Sequence, residues 1–165
     1  MAEKKKYDFP TEVITLPSQG LGYDEKSPLA KGEIEIKYMT AKEEEILASQ
    51  NLIKKGVVLD MLFESIIADK SINIDDILLG DKNAIVLATR ILGYGPEYKV
   101  GMQGEDGETE EVMVDLSKVE TNDVDPKKLN RKNEYEFVTP TGKNVIVFKL
   151  LTHGDEKKID TDVRA

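Results

Sequence analysis

The chain of 165 residues has no cysteine, no tryptophan and a single histidine, and aromatic residues make up only 6% of it. Without cysteine there is no disulfide and no thiolate metal centre. With His153 as the one imidazole, the nitrogen and sulfur ligands that zinc, copper and iron prefer are missing too. No apolar run approaches the roughly 18 residues that a membrane-spanning helix needs. The opening MAEKKKYDF is basic but has no apolar stretch behind it, so it reads as a solvated tail rather than a signal peptide. Net positive charge is also lacking. The 23 basic residues face 32 acidic ones, a formal charge of −9, and such a surface repels nucleic-acid phosphates and anionic lipid. What remains, 39% hydrophobic and 33% charged residues, is the make-up of a globular domain with a modest core.

Residues 7–30, YDFPTEVITLPSQGLGYDEKSPLA, are rich in proline, glycine and serine. Val13, Ile14 and Leu16 have strand character, but Pro10, Pro17 and Pro28 interrupt any regular element. Residues 1–30 therefore read as an extended arm that becomes ordered only when something packs against it. Its candidate partner-binding residues are Phe9, Pro10, Val13, Ile14, Leu16, Pro17, Leu21 and Tyr23. On this reading, deletion of residues 1–20 leaves a folded domain that no longer assembles.

Residues 31–152 read as a single α+β domain, with a helical part at 40–95 and a hairpin part at 96–152. Glu33–Met39 alternates, with Ile34, Ile36 and Tyr38 on one face, as a half-buried strand does. Three consecutive glutamates follow, Glu43, Glu44 and Glu45. Clustered carboxylates can hold a metal or move a proton, but Thr40 three residues before Glu43 is a capping box, and acids in a first turn complement the helix dipole. The glutamates are thus expected to start a helix that ends at Lys54, Lys55 and Gly56. The stripe Val58, Leu59, Leu62, Phe63, Ile66 and Ile67 marks the core helix. Asp75 and Asp76 read as first-turn acids. Asp81 reads as the cap of a third helix that carries Ala84, Ile85, Ala88, Ile91 and Leu92 and stops at Gly93, Gly95 and Pro96.

Two antiparallel β-hairpins are expected next. EYKVGMQ and EEVMVDLS flank the loop GEDGET, and NEYEFVTPTGKNVIVFKLL turns at Pro140 and Gly142. A polar loop, TNDVDPKKLNRK, joins them. Residues 153–165 read as a polar tail with too little apolar surface to hold a helix in place, and His153 reads as an exposed turn residue. No calcium loop, phosphate loop or nucleophile elbow is present. No catalytic, cofactor or metal residue is therefore expected. The rival reading is a magnesium-dependent hydrolase using Glu43–Glu45 or the Asp75–Asp81 region. The expected fold is α+β: a small unit of three main helices, preceded by an arm and a strand and followed by two hairpins.

The ordered series FPTEVITLPSQG, GEIEIKYMTAKEEEILASQNLIKKG and GDKNAIVLATRILGYG resembles the baseplate proteins of T-even-like contractile-tailed phages, the hub and hub-assembly family. The likeness covers residues 9–95 well and 96–152 more loosely. It implies a protein without enzymatic activity. Such a protein works in a multimeric assembly with hub, tube or tape-measure components, in the tail baseplate of the virion and in the host cytoplasm during assembly. It would act either as a permanent subunit or as a transient assembly chaperone. The family brings no catalytic residue to carry over, and its members generally have more helix after the last strand than HGDEKKIDTDVRA supplies.

Overall fold

The computed structural model describes residues 9–104, 107, 109–120 and 125–164. The basic start of the chain, the acids Glu105, Asp106 and Glu108 of the first hairpin loop, and residues 121–124 of the polar loop lie outside the described residues.

The fold is mixed α+β. An N-terminal hairpin, β1 (Thr11–Thr15) and β2 (Glu33–Lys37), leads to the helices α1 (Ala41–Ala48), α2 (Gln50–Lys55), α3 (Val58–Ile66) and α4 (Leu79–Tyr94). Two further antiparallel hairpins follow, β3 (Glu97–Gln103) with β4 (Thr109–Asp115) and β5 (Tyr135–Val138) with β6 (Val145–Phe148). The helix α5 (His153–Arg164) closes the described chain.

The extended-arm reading is corrected. β1 pairs with β2 in the register Val13 opposite Glu35, flanked by Pro10 and Pro17 at the positions where a missing N–H costs the ladder nothing. The stretch after it folds back onto the protein's own core. Leu16 and Leu29 are buried beside Ile34, Ile36, Phe63 and Ile66, and Tyr23 is only 5% exposed. Gly20 allows the turn: its φ is +76°, and a Cβ there would stand 2.4 Å from the Ala30 carbonyl oxygen. The arm's apolar residues thus find their partner within the chain.

α3 is the core helix that its stripe predicts, with Leu62, Phe63 and Ile66 buried. It stops earlier than the stripe does. At Ile67 the chain turns extended and adds to the edge of β2, where Ile67 bridges Ile36 and the Ala68 N–H donates to the Glu35 carbonyl. The expected first helix is broken at Ser49 (φ −72°, ψ 104°) into α1 and α2, and α2 ends as predicted on left-handed Gly56. The tail is also corrected: residues 153–164 form a helix. Arg90 ties α4 to the first ribbon, its guanidinium lying 4.8 Å from the Tyr94 ring centre and 5.5 Å from that of Tyr98.

Candidate functional site

Among the described residues, Glu43, Asp81 and His153 are buried titratable side chains, and the hydrogen bonds of each join separate backbone elements. The first cluster centres on Glu43, which has no exposed surface. Its carboxylate accepts from the Thr40 N–H (2.8 Å), the Thr40 hydroxyl (2.6 Å), the Ser65 hydroxyl (2.5 Å) and Lys37 Nζ (2.8 Å). Burial alone would raise its pKa. The hydrogen bonds from Lys37, Ser65 and Thr40 outweigh burial and hold it well below the usual carboxylate range. The capping box at Thr40 forms, but Glu43 also ties β2 to α3, a role invisible in local sequence. Glu44 and Glu45 are exposed.

The second cluster centres on Asp81. It does not cap its helix, which begins at Leu79 with Leu78 as the N-cap; Asp81 lies in the first turn, 1% exposed. It accepts from the Ser18 N–H (2.9 Å), the Ser18 hydroxyl (2.6 Å) and the Tyr23 hydroxyl (2.6 Å). The Tyr23 oxygen in turn accepts the Leu78 N–H at 2.9 Å. Burial first, then the Asp81 charge, pushes the Tyr23 phenol far above its ordinary value, so it stays a donor at all ordinary pH. This anchor clips the LPSQG turn to the start of α4.

The third cluster overturns the reading of His153 as an exposed turn. The side chain is 4% exposed, packs edge-on against Phe63 at 5.9 Å, and places Nε2 2.5 Å from Asp60 Oδ1. Lys157, one turn further along α5, bridges Asp60 (2.9 Å) and Asp75 (2.7 Å), and Glu156 pairs with the buried Lys82. Burial opposes ionisation of Asp60, but Lys157 and His153 more than offset it and lower its pKa. At the helix start the Thr152 N–H donates to Asp155 at 3.1 Å. The Asp60–His153 pair thus joins α3 to the start of α5. Among the described residues there is no group of three or more acidic or imidazole side chains placed to hold a metal ion, and no helix is long and apolar enough to cross a membrane.

Chemistry of another kind lies on the second ribbon. Val145, Ile146, Val147 and Phe148 of β6 are apolar on both faces, and each is between 49% and 61% exposed. Opposite them, Phe137 and Val138 are as exposed, and Tyr135 stacks on Phe148 at 5.5 Å. A two-stranded ribbon is at best marginally stable in water, and one face at least normally packs on something. Here nothing among the described residues covers either face. No protein-family model, no curated protein and no solved structure matches this chain. The first ribbon repeats the pattern more weakly, with Tyr98, Met102, Val112 and Met113 exposed. Contiguous exposed apolar surface is a feature that interaction sites commonly share.

The residues proposed from sequence divide. Phe9, Pro10 and Val13 are on the surface, Ile14, Pro17 and Leu21 are half-buried, and Leu16 and Tyr23 belong to the core. The structure does not bring them together as one face. Sequence reasoning placed this hairpin but not the exposure of apolar side chains on both its faces, although one signal was present. The run NVIVF lacks the alternation of a half-buried strand.

Proposed function

We propose that this protein is a non-enzymatic structural component of a contractile phage tail baseplate, in its hub region, acting through protein–protein contacts during tail assembly. One observation carries the contact role: β6 carries apolar side chains on both faces, each about half exposed, and nothing among the described residues packs over them. A subunit stable alone would hide such a ribbon; a subunit of a larger assembly hides it against a neighbour. The setting rests on the ordered series of residues 9–95 that resembles the hub and hub-assembly family. The buried acids support the same reading, since each is occupied in joining elements. The partners are hub, tube or tape-measure components, met in the host cytoplasm and retained in the virion.

Quantitative mass spectrometry of purified virions tests this. The protein is expected in stoichiometric ratio to the other baseplate components. Its absence from particles whose assembly nevertheless needs it would replace the structural subunit by a transient assembly chaperone.

A further inference from the structure

Resting on the reading of the second ribbon as a contact surface, we infer that the outer edge of β6 receives one extended, acid-flanked segment of a partner protein as a third strand. The register assigns that edge. The Thr139 N–H donates to the Asn144 carbonyl at 2.9 Å, and the Asn133 side-chain amide takes both the N–H and the C=O of Leu150, as a strand residue would. Because bonded pairs alternate along an antiparallel ladder, Ile146 and Phe148 bond inward to β5, and Val145, Val147 and Lys149 turn their N–H and C=O outward.

The same edge is already used at its foot. The Leu79 N–H donates to the Leu151 carbonyl at 3.0 Å, the His153 N–H to the Ile77 carbonyl at 2.8 Å, and Leu78 stands antiparallel to Thr152. Ile77–Leu79 thus start a strand position that α4 then leaves. Among the described residues no strand continues it from Lys149 to Val145. Beside this foot lies an open apolar cleft of about 580 Å³, lined by Pro17, Leu78, Leu79, Leu129, Leu150 and Leu151. A strand edge with a side-chain pocket at one end is the equipment of strand addition, where backbone bonds give affinity and the pocket gives selectivity.

Charge selects the occupant. On a chain of net charge −9, the stretch from Asp125 to Lys149 carries six basic residues against three acids. Lys143 and Lys149 bracket the apolar residues of β6, with Lys149 shared with Asp155 at 2.7 Å. Antiparallel pairing of two copies about Ile146 would set Lys143 of one copy opposite Lys149 of the other at both ends, a like-charge arrangement that disfavours self-association. An apolar segment with acids at its ends meets the opposite condition.

The full chain is titrated by fluorescence anisotropy with two labelled peptides that share an alternating Val/Thr centre. One has aspartates at both ends and the other lysines. The aspartate peptide is expected to bind at least about tenfold more tightly. Val147→Pro removes an outward N–H and leaves the ladder to β5 intact, so it is expected to lose the aspartate peptide while keeping the parent's circular dichroism and melting point. Lys143→Glu, an exposed turn substitution, provides a second reading should the proline disturb the ribbon: it reverses the preference between the peptides. Equal affinity for both peptides, no change in Lys143→Glu, a dimer in sedimentation that Val147→Pro dissolves, or displacement of the peptide by a single-stranded oligonucleotide would each overturn the inference. Virion composition is independent of these outcomes. Particles containing the protein alongside equal peptide affinities would keep the hub reading and remove this one.

Discussion

Glu43, Glu44 and Glu45 show how little adjacency says about role. All three sit at the start of α1, but only Glu43 turns inward, where four donors converge on it. Glu43→Ala is expected to cost about 3 kcal/mol, because it leaves buried donors without their acceptor. Glu44→Ala and Glu45→Ala should each stay within about 0.5 kcal/mol. Chemical denaturation of the three variants measures the contrast. The pH dependence has a definite sign. The folded pKa of Glu43 is depressed from its ordinary value of 4.5, so its contribution is whole at neutral pH and is lost as pH falls below that value. Glu43→Gln is expected to flatten this acid limb of the stability profile. Tyr23→Phe strips a donor from Asp81 and an acceptor from the Leu78 N–H, both buried, and should lower stability by about 2 kcal/mol in the same assay. The capping box at Thr40 was legible because it is local. The part played by Lys37 and Ser65 was not, since Ser65 lies 22 residues from Glu43 in sequence.

At the scale of elements, α5 shows a helix held by charge where apolar surface is scarce. Ile159 and Val163 face solvent, and His153 is the one side chain of α5 that is buried among the described residues. What docks the helix is the set Asp60, His153, Lys157 and Asp75, together with Lys82–Glu156. Lys157→Met removes two of these links. Lys157 is partly exposed, so solvent screening limits the loss to about 1 kcal/mol. Hydrogen exchange should show faster opening of residues 156–164 and unchanged protection of α3. The sequence supplied the starts and stops of elements marked by Thr40, Gly56 and Gly95, but placed the start of α4 at Asp81, two residues late. It did not supply the break at Ser49 or the early end of α3, because Ile67 leaves its helix to pair with Ile36, a residue brought close only by the fold.

For the whole molecule, the N-terminal segment belongs to the core. Deletion of residues 1–20 removes β1, Leu16 and Ser18 and leaves Ile34, Ile36 and Asp81 uncovered, so the truncated chain is expected to be unfolded by circular dichroism. The molecule is lopsided: residues 11–95 enclose a core, while two ribbons carry apolar side chains into solvent. That asymmetry supports a subunit completed by its neighbours. The sequence by itself determined the class of fold, the core helix α3, the helix starts and stops that have a local cap, and the two hairpins. Each of these follows from periodicity or turn chemistry within a few residues. Only the tertiary structure decided that the arm is core, that His153 and Asp81 are buried anchors, and that β6 stays half exposed on both faces among the described residues. The physical reason is the same each time: burial and ion pairing depend on which residues the fold brings together, and those lie tens of residues apart along the chain.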